Sequence, residues 1–167
     1  MTISAYWRFA DFYSAHARGL WRYLVRIGAD RTVAEDLVQD AFVRWSLSRA
    51  ARWEDERARA YLFTIATRLL TDWWRRQRRD VSWDAIGENA PTCEIEVSPL
   101  FQGRAWAALS PRQQQLLWLA YVEEFTHDEI AAICGVSSKS VRVLLSRCRA
   151  ILSGLLDSDA KGAAHAD

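Results

Sequence analysis

Apolar residues recur at three- and four-residue steps along most of this 167-residue chain, a rhythm that admits amphipathic helices and little else. From Ala5 to Ile27 the stripe is Phe9, Tyr13, Ala17, Leu20, Leu24 and Ile27, and Gly28 follows as a stop. From Thr32 to Trp45 it is Ala34, Leu37, Val38, Ala41, Phe42 and Trp45, with Glu35, Asp36, Gln39, Asp40 and Arg44 on the opposite side. Residues 46–59 are polar around Trp53 and should include a loop. A third helix is expected from about Arg57 to Arg78, with Tyr61, Leu62, Ile65, Ala66, Leu69, Leu70, Trp73 and, at its edge, Trp74 as apolar positions. Only 7 glycines and 3 prolines interrupt the chain, too few for many tight turns or for phosphate-cradling Gly-rich loops. The expected fold class is all-α.

The rhythm fails between Asp80 and Pro99, and so does the charge balance. Residues 1–79 carry 15 arginines against 9 acids, net +6; residues 80–100 carry 5 acids and no base. Residues 101–167 hold 7 bases and 7 acids. The overall net charge of +1 therefore hides a basic block, an acidic strip and a neutral block. Structureless stretches of about twenty residues are unusual inside one compact domain. The sequence accordingly reads as two small helical domains, 1–79 and 100–156, joined by a flexible acidic linker over 80–99, with a disordered tail at 157–167.

The second domain restarts at Leu100–Leu109. Ser110-Pro111 has the form of a helix start, and that helix is expected to reach about Glu124. Thr126 and Glu129 fit a capping box, ahead of a short helix through Ile130, Ala131 and Ile133. Gly135 makes the turn, and Ser137 caps a last helix whose apolar positions are Val141, Leu144, Leu145, Cys148, Ile151 and Leu152. Two short helices joined by a Gly-containing turn have the pattern of a helix-turn-helix, whose second helix enters a DNA major groove; the alternative is an ordinary helical hairpin with a solvated charged face. Its exposed positions are Ser138, Lys139, Ser140, Arg142, Ser146, Arg147 and Arg149. In the first domain Arg68, Arg75, Arg76, Arg78 and Arg79 share a helix and its end with Trp73 and Trp74. Arginines hold phosphate and aromatic faces stack on unpaired bases, although Trp73 first reads as core filling. Physics alone makes the polar face around Asp36 and Asp40 a solvated one.

Other chemistries find no footing. Cys93, Cys134 and Cys148 are odd in number and far apart, which disfavours disulfides and a zinc site; Cys134 and Cys148 read as small buried hydrophobes. His16, His127 and His165 come with no nucleophile and orienting group, so the expectation is no enzyme, no metal and no cofactor. The N-terminus lacks a signal-peptide pattern and no run of about 18 apolar residues occurs, so a cytoplasmic protein without membrane insertion is expected.

Taken together, three segments resemble one family. The run from Ala34 to Trp45 is similar to the polymerase-binding helix of region 2 of bacterial sigma factors, and Tyr61–Arg76 to the promoter-reading helix that follows it. Leu109-Ser110-Pro111-Arg112-Gln113, Tyr121-Val122-Glu123 and Thr126–Leu152 are similar to region 4. Their order and the short linker resemble the extracytoplasmic-function (ECF) sigma factors, and Ser138-Lys139-Ser140-Val141 is nearer to the iron-uptake branch. The resemblance implies a subunit that binds core RNA polymerase, recognises −10 and −35 promoter elements and helps open the DNA. Asp36, Gln39, Asp40 and Arg44 would dock on clamp helices of the largest polymerase subunit. The loop Arg49–Arg59, with Trp53, would lie where the family traps a flipped −10 base. Arg68, Asp72, Arg75, Arg76, Arg78 and Arg79 would read that element and hold its strand. Ser138, Lys139, Ser140, Arg142, Ser146, Arg147 and Arg149 would meet the −35 groove, with their domain on the polymerase flap. Asp84, Glu88, Glu94 and Glu96 would run along the RNA-exit path, and an anti-sigma factor or membrane-bound regulator would be a further partner. Two departures stand out: Arg68 where many members have Asn, and Arg142-Val143-Leu144-Leu145 where Lys-Ser-Arg-Leu is common. The rival reading is a stand-alone helix-turn-helix regulator that does not bind polymerase; it leaves the first domain idle.

Overall fold

The computed structural model describes residues 3–77 and 103–164, with side chains from Arg8 to Gln77 and from Gly103 to Ser158. Arg78, Arg79, Cys93, His165 and the acidic strip with Asp84, Glu88, Glu94 and Glu96 lie outside the described residues. The chain divides into two compact units, Met1–Cys93 and Glu94–Asp167. The described secondary structure is entirely helical.

Unit 1 consists of α1 (Ile3–Arg26), α2 (Arg31–Leu47), a 3-10 turn (Arg49–Arg52) and α3 (Asp55–Gln77). Asp30 starts α2 by accepting from the Val33 amide at 2.8 Å, so one free N–H of the first turn is satisfied. All six apolar positions read from the spacing of α2 are buried, at 0–6% exposure, and the five opposite them are exposed. On α3, Leu62, Ala66, Leu69 and Leu70 are buried, whereas Tyr61, Ile65, Trp73 and Trp74 are half-buried. Between α1 and α3 the Tyr23 and Thr67 hydroxyls share a 2.8 Å hydrogen bond, which satisfies two polar atoms inside the core.

The first half of α1 differs from the expected stripe. Phe12 is the buried residue at 4%, while Phe9 is half-buried and Tyr13 is 40% exposed. The cause is Trp45: its ring stacks on Phe12 at 4.1 Å and 9°, so the larger planar contact takes the interior. Phe9 and Tyr13 then form a rim against Phe42, at 6.2 and 4.6 Å.

Gly28 closes the turn after α1 at φ +111°, and a Cβ there would stand 3.3 Å from Cζ2 of Trp74. Gly28→Ala therefore meets both backbone strain and the Trp74 ring. The expected loss is about 1–2 kcal/mol, read from urea unfolding by circular dichroism; an unchanged midpoint would contradict the assignment.

Unit 2 consists of α4 (Gly103–Ala107), α5 (Pro111–Tyr121), α6 (His127–Cys134) and α7 (Ser138–Ala164). Both α5 and α6 open with reciprocal capping boxes, Ser110 with Gln113 and Thr126 with Glu129. α5 ends at Tyr121, short of the expected Glu124, because Glu124 turns into positive φ at 56°. The Phe125 amide then bonds the Leu119 carbonyl at 3.0 Å, and Trp118 Nε1 donates to Glu123 at 3.0 Å. Gly135, left-handed at φ 66°, ends α6 and sets the angle to α7. The expected disordered tail is corrected in part: α7 continues through Ala164, carried past Asp157 by Leu155, Leu156, Ala160, Ala163 and Ala164, all strong helix formers. Of its expected core positions, Val141, Leu145, Cys148 and Leu152 are buried, Leu144 is half-buried, and Ile151 is 41% exposed.

Candidate functional site

Three surfaces carry the residues singled out by sequence. The first is the outer side of α2. Asp36, Gln39, Asp40 and Arg44 are all exposed, with the helix fixed from behind by its buried stripe. Two further residues on this side, Val43 and Leu47, were not among those expected and are 56% and 84% exposed. Their spacing from Asp36 and Asp40, at steps of four, three and four, puts all four on one line of the helix. That spacing is visible in the sequence, but both residues lie off the core stripe.

The second surface is the outer side of α3 with the 3-10 turn before it. Ser48 opens that turn, its hydroxyl accepting from the Ala50 amide at 3.1 Å. Trp53 is held at the turn's end, edge-on to Tyr61 at 5.3 Å and under the Arg57 guanidinium at 4.1 Å. Arg8 donates to the Trp53 carbonyl and pairs with Asp55 at 3.8 Å, fastening α1 to this corner. Arg57, Tyr61, Arg68, Asp72 and Arg75 follow at steps of four, seven, four and three, which is a single helical face; Arg76 adjoins it. From Arg57 to Arg76 that face runs about 28 Å at 1.5 Å per residue. Arg68, Asp72, Arg75 and Arg76 are exposed, and Arg75 reaches Asp72 at 3.3 Å, an exposed pair of little energetic weight. The face thus joins an aromatic corner at one end to arginines at the other. Trp73 and Trp74 stand beside it half-buried, with the Trp74 ring close over the turn at Gly28.

His16 lies behind the same corner, edge-on to Phe12 at 4.5 Å. Its pKa is lowered, first by burial and then by Arg59, with Asp55 opposing, so near neutral pH it is an uncharged packing group.

The third surface is α7. Ser138, Lys139, Ser140, Arg142, Ser146, Arg147 and Arg149 are exposed, but they do not form one patch. Arg142 and Arg149, seven residues apart, share a flank and border a groove of about 450 Å³ with Tyr121, Phe125, His127 and Leu145. Ser140 and Arg147, also seven apart, occupy the other flank, with Lys139 and Ser146 between. Ser138 is engaged: its hydroxyl donates to Asp128 on α6. Arg112 braces the motif from behind, donating to the Cys134 carbonyl at 2.7 Å and to Gln115 at 2.8 Å. Leu144 is half-buried, turned between the core and the exposed arc.

Burial pushes the Cys134 thiol up to about 11 despite the opposing pull of Arg112, and burial raises Cys148 as well. Both stay protonated at neutral pH and are poor nucleophiles; Cys148 is buried as expected, whereas Cys134, next to the exposed turn at Gly135, is only half-buried. Among the described residues no group of three or more His, Cys, Asp and Glu is placed to hold a metal, and no helix is long and apolar enough to cross a membrane.

Comparison with known proteins places both units in one family. Residues 12–80 match the Sigma-70 region 2 family, and residues 103–152 match Sigma-70, region 4. The ECF RNA polymerase sigma factor SigL of Mycobacterium tuberculosis is 31% identical over 138 residues, 78% of each chain. The ECF RNA polymerase sigma factor SigM of Bacillus subtilis is 26% identical over 153 residues, 87% of this chain and 93% of that one. Among solved structures, CnrH in complex with the cytosolic domain of CnrY is 27% identical with a TM-score of 0.61, over 90% of this chain and 88% of that one. The sigma factor RpoE of Bartonella quintana, solved with the anti-sigma factor NepR, shares the fold at a TM-score of 0.68 and 23% identity, over 90% and 98% of the two chains.

Proposed function

This chain belongs to the ECF sigma factors, alternative sigma factors that direct transcription by RNA polymerase, and on that premise we propose how its surfaces divide the work. The outer face of α2, with Asp36, Gln39, Asp40 and Arg44, docks on core polymerase. The Trp53 corner and the face of α3 take the opened strand of the −10 element, and α7 enters the −35 major groove.

The observation that carries the reading is the side of α3 that has the Trp53–Tyr61 aromatic corner at one end and Arg68, Arg75 and Arg76 towards the other. Aromatic rings stack on unpaired bases of any sequence, and arginines spaced along the same side hold the phosphates that follow. A duplex keeps its bases stacked inside, so this combination suits a strand already separated. Arg78 and Arg79 extend the proposal past the end of α3. On α7, Lys139, Ser146 and either flank pair meet bases and phosphates, while Ser138, held by Asp128, orients the helix on α6.

Each DNA-binding element is small, and neither flank of α7 carries more than two arginines. Polymerase holding both units makes the second contact effectively intramolecular, which compensates for weak individual binding. Catalysis belongs to the polymerase; this chain contributes recognition and strand capture, in the cytoplasm where the polymerase works. A regulator that covers these faces is a further partner in the proposal, supported by the likeness to CnrH, solved with the cytosolic domain of CnrY. The stand-alone regulator reading is set aside, because the match extends through unit 1 as well as unit 2.

The test is salt dependence. Arg75→Ala with Arg76→Ala should weaken promoter opening and flatten the slope of log affinity against log salt by about 0.7 per lost single-strand contact. An unaltered slope in a folded variant would remove these arginines from the strand path.

A further inference from the structure

We infer that Val43 and Leu47 form the apolar centre of the face through which α2 grips core RNA polymerase, seated in an aliphatic slot with a basic rim. The inference rests on the reading of α2 as the docking face. Among the described residues the core of unit 1 does not use them: the six inward apolar positions of α2 are 0–6% exposed, whereas Val43 and Leu47 are 56% and 84% exposed. A single exposed aliphatic means little. Two of them one turn apart, in line with two carboxylates and beside Arg44, make a small interface: an apolar middle with a charged border.

The charges select the occupant. Asp36 and Asp40 repel a polyanion, so nucleic acid does not sit here. A second copy docking by the same face would crowd four carboxylates together at a two-fold axis. Both charges call for a basic protein surface with room for two aliphatic side chains, and on the docking reading of α2 that surface belongs to core polymerase. The acids steer its approach, and the apolar pair slows its departure.

Binding of the full-length chain to core polymerase, titrated over a range of salt, separates these roles. Val43→Gln with Leu47→Gln should keep the wild-type circular dichroism and raise the dissociation constant at least about tenfold at every salt concentration, leaving the salt slope unchanged. Should the double variant be misfolded, Leu47→Gln alone, at the more exposed position, should still lose affinity several-fold. If the wild type binds and the glutamine variants bind equally well, the inference is overturned while the docking face stands. If the wild type does not bind core polymerase, the docking reading itself fails. A wild-type dimer that the variant dissolves, with polymerase affinity intact, would assign the pair to self-association and overturn the inference.

Discussion

Alanine at Trp45 is expected to cost unit 1 about 3–5 kcal/mol, the largest effect of any single truncation we foresee there. Trp45 is 1% exposed and is the meeting point of α1 and α2. It stacks on Phe12 at 4.1 Å and lies 6.3 and 6.4 Å from the rings of Phe9 and Phe42. Removing the indole deletes its own burial and leaves three aromatic neighbours around a void that two helices cannot close without moving. Domains of this size hold only about 5–15 kcal/mol in all, so the loss approaches the whole reserve. Urea unfolding followed by circular dichroism reads it directly. A cost below about 1 kcal/mol would show that Trp45 is not the keystone of this core.

Charge reversal at Asp36 and Asp40 should do the opposite: leave the fold unchanged and abolish the partner. Both side chains are exposed on a helix anchored entirely from its other side, so Asp36→Lys with Asp40→Lys should unfold at the wild-type temperature. Against a basic docking surface, two attractions become two repulsions. The expected loss of affinity for core polymerase is about a hundredfold or more at low salt, narrowing as salt rises. Wild-type affinity in the folded variant would refute the assignment of α2 as the docking helix.

Trp45 and the Asp36–Asp40 pair sit on opposite sides of one helix, and α2 is the element most legible in the sequence. Its six apolar positions, from Ala34 to Trp45, follow three-and-four spacing with Glu35, Asp36, Gln39, Asp40 and Arg44 opposite them, which marks the face that turns inward. The start of α1 was harder, because aromatic residues stand at 6, 7, 9, 12 and 13 and several faces are apolar enough to be the core. The choice of Phe12 is made by Trp45, more than thirty positions along the chain, and no local period encodes it. The ends of α5 and α7 were missed for a similar reason. The early stop at Tyr121 depends on the Trp118–Glu123 bond and the turn at Glu124, and α7 continues because nothing in its Ala- and Leu-rich end forces a break.

The candidate site shows the same division. Exposure of the chosen residues on α2, α3 and α7 could be read from periodicity, since it is the complement of burial. Their tertiary partners could not. The bond from Ser138 to Asp128, the Arg112 brace to Cys134 and the Arg57–Trp53–Tyr61 corner all join side chains whose meeting depends on turns and packing angles. Val43 and Leu47 carry no such signal, because apolar periodicity marks the core and theirs points away from it.

The most direct test of the central claim is run-off transcription with the purified chain, core bacterial RNA polymerase and a pool of genomic promoter fragments. Discrete transcripts that require both proteins, and that are lost with Asp36→Lys and Asp40→Lys, are what this account predicts. Folded protein and active core that together neither form a complex nor yield a transcript would contradict it.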